Sequence, residues 1–236
     1  MCMPTIQDSS GSTCWPSVDE LDFDIDGHAR RLASHRWHSS GKRLMDCAVA
    51  AVLLILFSPL FVFAALAVKL SSAGPVFFRQ EREGWGETRF EMFKFRSMQM
   101  ETVVGANGRP AALATPGRFV KMRSDPRVTV VGRWLRKTSI DELPQLWNVL
   151  QGNMSLVGPR PVIPSLPGLF PAYRRARALV RPGITGLWQL RNRGNGANAI
   201  NMLSHDLEYI KCFGPKQDLI ILLRTIPAVL TCKGAF

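Results

Sequence analysis

Residues 47–68, CAVAAVLLILFSPLFVFAALAV, contain no charged side chain. At about 1.5 Å per residue such a run is long enough to cross a bilayer as a helix, so a membrane constrains everything else the chain can do. A cleaved signal peptide fits poorly, because the stretch is longer than such a segment needs and free cysteines follow it. Ser58-Pro59 sits near its middle. Proline removes a backbone donor and crowds the preceding turn, which predicts a kink or break there. The serine hydroxyl is placed to satisfy a carbonyl freed by that break. Each half is then roughly 15 Å long, about one leaflet deep. Basic residues flank both ends, Lys42 and Arg43 before, Lys69, Arg79 and Arg82 after. The positive-inside bias therefore assigns no direction. A kinked span and a helix that dips in and returns to the same face both remain open.

Residues 1–40 are rich in Ser, Asp and His and hold six acids against three arginines. With no sustained apolar period, they read as a mostly disordered tail. The net charge of +12 is thus concentrated in the remaining residues, with 27 basic against 12 acidic groups. A surplus of that size favours an anionic partner, whether nucleic acid, lipid headgroups or a phosphorylated substrate. The five cysteines are scattered without a CxxC pair, which indicates neither a zinc knuckle nor a disulfide framework. His28, His35 and His38 lie in a polar segment without convergent ligands and are expected to be solvated.

After a Ser-Gly-Pro turn signal, residues 76–82 (VFFRQER) and 89–98 (RFEMFKFRSM) read as strands around a Gly-Trp-Gly turn. Strand alternation in the second aims Lys94 and Arg96 at one face, which is either an ordinary solvated face or a cationic wall for phosphates. Residues 105–117 read as a flexible loop, and residues 172–183 as a basic helix stopped by Pro182-Gly183. The apolar segment 218–230, interrupted by Arg224 and Pro227, is too short to span. It is expected to pack in the core or lie along an interface.

Residues 139–161, SIDELPQLWNVLQGNMSLVGPRP, hold the strongest candidate site. Ile140, Leu143, Leu146, Trp147 and Leu150 recur at helical spacing and predict one buried stripe. Ser139-x-x-Glu142 matches a capping box, and Pro144 confines the helix start to the neighbourhood of Asp141 and Glu142. Capping alone accounts for these acids, since the positive end of a helix dipole favours them. The same physics also permits chemistry. An ionised aspartate can attack phosphorus, and adjacent carboxylates can hold Mg²⁺ together with substrate phosphates. Lys94, Arg96, Arg136, Arg160 and Arg181 supply candidate cations for a phosphoryl group.

KRLMD before the apolar run, SP within it, FKFRSM, SIDELPQLWNVLQGNMSLVGPRPV, RPGITG and DLEYIK stand in order along residues 41–230. In this the chain resembles the bacterial sugar transferases, the monotopic phosphoglycosyl transferases that begin glycan assembly on undecaprenyl phosphate. The resemblance implies a helix-rich α/β (α+β) catalytic domain associated with the membrane. Residues 1–40 would be the tail, 41–70 a re-entrant membrane helix broken at Ser58-Pro59, and 71–236 a catalytic domain lying on the membrane surface. The location implied is the cytoplasmic face of the bacterial inner membrane, with membrane lipids as neighbours.

The resemblance further implies that Asp141 attacks the β-phosphorus of a UDP-sugar, releases UMP and carries the sugar phosphate as an aspartyl ester. Undecaprenyl phosphate would then accept it. Glu142 would join Asp141 in binding Mg²⁺. Lys94, Arg160 and Asp206 fall on active-site positions of the motifs. Pro161 in the PRP loop, with Arg181, Gly183 and Thr185 in RPGITG, would help receive the nucleotide and its phosphates. The segment after Trp188-Gln189 departs from the family's Gly-Arg turn, reading Leu190-Arg191-Asn192-Arg193-Gly194, so the sugar is left unassigned. A homodimer is left open. The rivals are a membrane glycosyltransferase that releases UDP, a noncatalytic scaffold and a tethered nucleic-acid-binding module. No nucleic-acid motif supports the last, and no nucleic-acid partner is expected.

Overall fold

The computed structural model describes residues 23–35, 37–99, 125, 127–164, 171–192 and 199–231. In chain order these form α1 (Ile25–Ser34), α2 (Lys42–Leu56), α3 (Ser58–Ser71), β1 (Phe77–Glu83), β2 (Arg89–Phe95), α4 (Val130–Thr138) and α5 (Gln145–Gln151). There follow β3 (Ser155–Val157), α6 (Pro171–Ala178), β4 (Gly183–Thr185), α7 (Leu187–Arg191), α8 (Ala199–Lys211) and α9 (Pro215–Leu230). The fold is mixed and helix-rich, as expected.

Proline decides the shape of the apolar run. In a continuous helix the residue at position 59 would donate to the carbonyl of Ile55, and a proline there has no proton to give. Ser58 Oγ donates to Ile55 O instead, at 2.8 Å. The chain bends by 63° between α2 and α3 at this point. Among the described residues no single helix is long and apolar enough to cross a membrane; the bent pair is, by length and composition.

One side of this hairpin is docked on the rest of the protein. Lys42, Asp46 and Ala50 recur every four residues along α2 and are buried, with Leu53 packed behind them. The polar members have partners. Lys42 Nζ lies 2.7 Å from Asp218 Oδ2, and Asp46 Oδ1 accepts from Leu156 N at 3.1 Å. Arg43 donates to the carbonyls of Val149 and Leu150 at the end of α5. Asp218 also accepts from Trp37 Nε1 and from the Tyr209 hydroxyl, so this fully buried carboxylate ties α2, α8 and α9 together. At the other end of the hairpin, Ala64 and Val68 of α3 pack against Phe95 and Leu135. The opposite side, including Val52, Ile55, Val62, Phe63 and Leu66, is exposed and apolar.

The two expected strands form. β1 and β2 form an antiparallel pair with Arg82 opposite Phe90 and Phe78 opposite Lys94, joined through a 3₁₀ turn at Trp85–Glu87. β3 and β4 pair in parallel, Ser155 opposite Gly183 and Val157 opposite Thr185. Where they meet, a Cβ on Gly183 would stand 2.1 Å from Gly158 N, so only glycine lets the two segments approach this closely. The main core gathers Met92, Leu146, Val149, Leu156, Tyr209 and Ile210.

Two expectations change. Residues 25–34, expected within a disordered tail, form the packed helix α1. Asp24 caps it by accepting from Gly27 N, Phe23 and Leu32 are buried, and Arg31 reaches the carbonyls of Ile210 and Lys211 at the end of α8. Its apolar contribution is so sparse that it shows no period in the sequence. His28 and His38, expected to be solvated, are half-buried, His28 tilted against the Phe23 ring and His38 edge-on to Phe213. In α9 the inward face carries Asp218 and Ile221, while Leu219, Leu223, Ile226 and Leu230 are exposed. Residues 105–117 lie outside the described residues.

Candidate active site

Helix α4 begins at a Thr129 cap, whose hydroxyl accepts from Gly132 N, and is closed by Ser139 in the left-handed region at φ 60°. The chain reverses into a single 3₁₀ turn, Ile140–Glu142, passes Leu143 and Pro144, and enters α5. The expected capping box is not formed. Ser139 ends one helix instead of capping the next with its side chain, and its carbonyl accepts from Glu142 N at 3.2 Å. The break at Leu143-Pro144 also shifts the helical phase. Trp147, expected in the buried stripe, is 53% exposed, while Asn148 and Val149 are fully buried.

This turn presents two carboxylates to a ring of cations. Asp141 is buried, with Glu142 half-buried beside it. Lys94, near the end of β2, places Nζ 2.7 Å from Glu142 Oε1. Arg160, from the loop after β3, brings Nη2 to 3.6 Å from the same oxygen. Arg136, in the last turn of α4, donates to Ser97 Oγ at 2.8 Å and bears electrostatically on Asp141. Asp141 is not kept ionised by a helix N-terminus. Burial first, and the charge of Glu142 second, push its carboxyl up to about 6; Lys94, Arg136 and Arg160 pull it down only in part. It is therefore a carboxylate at neutral pH that becomes protonated as pH falls through about 6.

The other residues singled out in the sequence are not brought to this cluster. Arg96 is 3% exposed and donates to the carbonyls of Ser72 and Pro75 beyond α3 and reaches Val68 O, which closes that helix. Arg181 donates to Gly152 O at 2.9 Å, past the far end of α5, with its guanidinium 4.6 Å from the centre of the Trp85 ring. Gly183 N donates to Pro159 O, and Gly158 N to Thr185 O, so RPGITG braces the Gly-Pro-Arg-Pro loop from beneath. Thr185 Oγ1 lies 2.8 Å from Thr225 Oγ1. Asp206 is buried against Arg177 Nε at 3.0 Å and the Tyr173 hydroxyl at 2.8 Å. Burial raises its pKa, with Arg177 foremost in the opposite sense. Arg177 in turn donates to Arg160 O, so Asp206 supports Arg160 at one remove.

Two cations beside the site were not among the expected site residues. Arg82 on β1 donates to Pro161 O at 3.1 Å, and Glu83 N donates to Val162 O, which stitches the strand to the proline loop. Burial foremost, then the charge of Arg160, lowers the Arg82 guanidinium to about 10. Alternation in RQER was its only signal. Arg177 lay within a basic helical run and gave none.

The bacterial sugar transferase family matches residues 37–232. The chain belongs to that family. It is 43% identical over 203 residues to the UDP-glucose:undecaprenyl-phosphate glucose-1-phosphate transferase of Caulobacter vibrioides, covering 83% of this chain and 72% of that protein. It is 40% identical over 201 residues to the exopolysaccharide production protein ExoY of Rhizobium meliloti, covering 83% and 88%. The undecaprenyl-phosphate glucose phosphotransferase of Komagataeibacter xylinus is 40% identical over 232 residues, 94% of this chain but 42% of its own length.

The placement of Asp206 in this member of the family can be tested directly. Asp206→Asn keeps the shape but leaves Arg177 buried without its counter-ion, and stability should fall by about 3–5 kcal/mol in unfolding measurements. A residue that only contacted substrate would leave unfolding unchanged.

Proposed function

We propose that the chain transfers a sugar 1-phosphate from a UDP-sugar to undecaprenyl phosphate, giving an undecaprenyl-diphosphate sugar and UMP. The observation that carries this reading is a buried aspartate, Asp141, set beside Glu142 and under the charges of Lys94, Arg136 and Arg160. Relatives named as sugar phosphotransferases acting on undecaprenyl phosphate supply the substrate class.

In the first half-reaction an Asp141 oxygen bonds to the β-phosphorus of the donor. The bond from that phosphorus to the bridging oxygen breaks, and UMP leaves with the electron pair. In the second, an oxygen of undecaprenyl phosphate bonds to the same phosphorus and Asp141 leaves as carboxylate. Neither step needs a net proton. The demand is for positive charge around the diphosphate, which Lys94, Arg136 and Arg160 meet. Lys94 also holds one oxygen of Glu142 and fixes its orientation.

The donor set suits Mg²⁺. Two hard carboxylates stand together, and their mutual repulsion contributes to the raised pKa of Asp141, which a cation would relieve. Among the described residues no group of three or more His, Cys, Asp or Glu gathers to make an all-protein cage. Mg²⁺ is commonly held by one or two carboxylates with substrate phosphates and water. Asp141 and Glu142 would hold it, and it would supply charge neutralisation on the diphosphate.

The bent helix pair is proposed as a re-entrant anchor in the cytoplasmic face of the bacterial inner membrane. Its outward side is apolar, while both of its ends are fastened to the same folded body, Lys42 to Asp218 and the end of α3 to Arg96. Two ends pinned to one body support a helix that returns to the side it left.

Two measurements check these readings. A panel of UDP-sugars with undecaprenyl phosphate and Mg²⁺ should release UMP, and Asp141→Asn should lower turnover by at least about a thousandfold, as loss of a nucleophile does. UDP as the sole nucleotide product would contradict the mechanism. In a background with the native cysteines replaced, Ser40→Cys and Ala73→Cys should both react with an impermeant maleimide from the cytosolic side. Reaction from opposite sides would establish a span.

A further inference from the structure

A buried amide links the two halves of the site. Asn148 lies in the middle of α5, a place where asparagine is a poor helix former, and it is fully buried. Its side chain faces β2. Asn148 Oδ1 accepts from Phe93 N at 3.0 Å, and Asn148 Nδ2 donates to Glu91 O at 2.7 Å. Its own carbonyl accepts from Asn153 N at 3.1 Å and Met154 N at 3.2 Å, where the chain leaves α5 for β3.

Among the described residues the sheet containing β2 has two strands, and no strand lies along the other edge of β2. Glu91 O and Phe93 N are groups of that edge, and the amide gives them the acceptor and donor that a third strand would supply. A leucine of similar size would fill the space and leave both part-buried backbone groups without these partners. The pair of bonds fixes more than stability. It sets the position of β2 along its own axis relative to α5, and Lys94 is the next residue after Phe93. Glu142 lies on the turn that leads into the same helix. A shift of one residue in β2 would put a phenylalanine where Lys94 meets Glu142, since alternate side chains point to opposite faces.

We infer that Asn148 is a positioning residue of the phosphotransfer site, holding Lys94 at Glu142 by docking the free edge of β2 on α5. The inference rests on the proposed phosphotransfer, because turnover is its readout. It differs from a purely structural role, in which Asn148 variants would lose folded protein but each folded molecule would work normally.

The test uses the full chain with UDP-glucose, or whichever UDP-sugar releases UMP in the panel above. Asn148→Asp keeps the shape and the acceptor but loses the donor. Asn148→Ser is too short for either bond. Val149→Ala, a fully buried neighbour, lowers stability without touching the edge of β2. With rates expressed per folded molecule, both Asn148 variants should lose about tenfold or more in kcat, with KM for the donor within about twofold, the pattern of an interaction used in the transition state. Val149→Ala should keep its kcat. Combined with Lys94→Met, Asn148→Ser should add little further loss, because residues acting through one contact are not additive. Wild-type kcat in either folded Asn148 variant, or losses that multiply with those of Lys94→Met, would overturn the inference. So would a failure of both variants to fold under conditions where Val149→Ala folds, since Asn148 would then be structural. Absence of UMP from the wild type would instead overturn the phosphotransfer reading itself.

Discussion

A helix of seven residues carries the site, and charge holds it from both sides. At its far end the carbonyls of Val149 and Leu150 receive Arg43, and Gly152 O receives Arg181. Beyond its near end, Glu142 receives Lys94 and Arg160. A helix this short has little stability of its own, because few of its backbone bonds close internally. Its position is therefore set by these partners, which come from α2, β2 and the loops after β3 and α6. Arg43 stands at the start of the apolar hairpin, so the bent helix pair is fastened to one end of α5 and the turn bearing Asp141 and Glu142 leads into the other.

The hairpin owes its form to a single missing proton. Pro59 cannot donate to Ile55 O, Ser58 does so in its place, and the axis turns by 63°. The bend lets α2 pack on α5 while α3 packs on α4 and β2, so each half covers a different side of the site. The buried charges Lys42, Asp46 and Asp218 are satisfied in place, and the fold is fixed by where they meet. Removing one partner from such a group costs more than the pair contributes.

The sequence made legible the features that depend on neighbours along the chain. The break at Ser58-Pro59, the two facing strands, a helix starting close to Asp141 and Glu142, and Lys94 and Arg160 as cations beside them all followed from local pattern or ordered motifs. The destinations of long polar side chains did not. Arg96 and Lys94 are two residues apart on one strand pattern, yet one closes α3 and the other meets Glu142. Arg181 and Asp206 lie in motifs that mark the site but act on its supports. The left-handed Ser139 turned a capping box into a helix ending, and the proline turn moved Trp147 to the surface and Asn148 to the interior. Each of these outcomes is settled by tertiary contacts that spacing along the chain does not encode.

The central claim is that Asp141 becomes covalently bound to the sugar phosphate between donor and acceptor. Mass spectrometry of protein incubated with a competent UDP-sugar and Mg²⁺, but no acceptor, tests it most directly. The account predicts a gain of one sugar phosphate on the peptide containing Asp141, one UMP released for each adduct, and loss of the adduct when undecaprenyl phosphate is added. Turnover in the complete mixture with no adduct in its acceptor-free counterpart would contradict it, and would point to direct transfer between the two substrates.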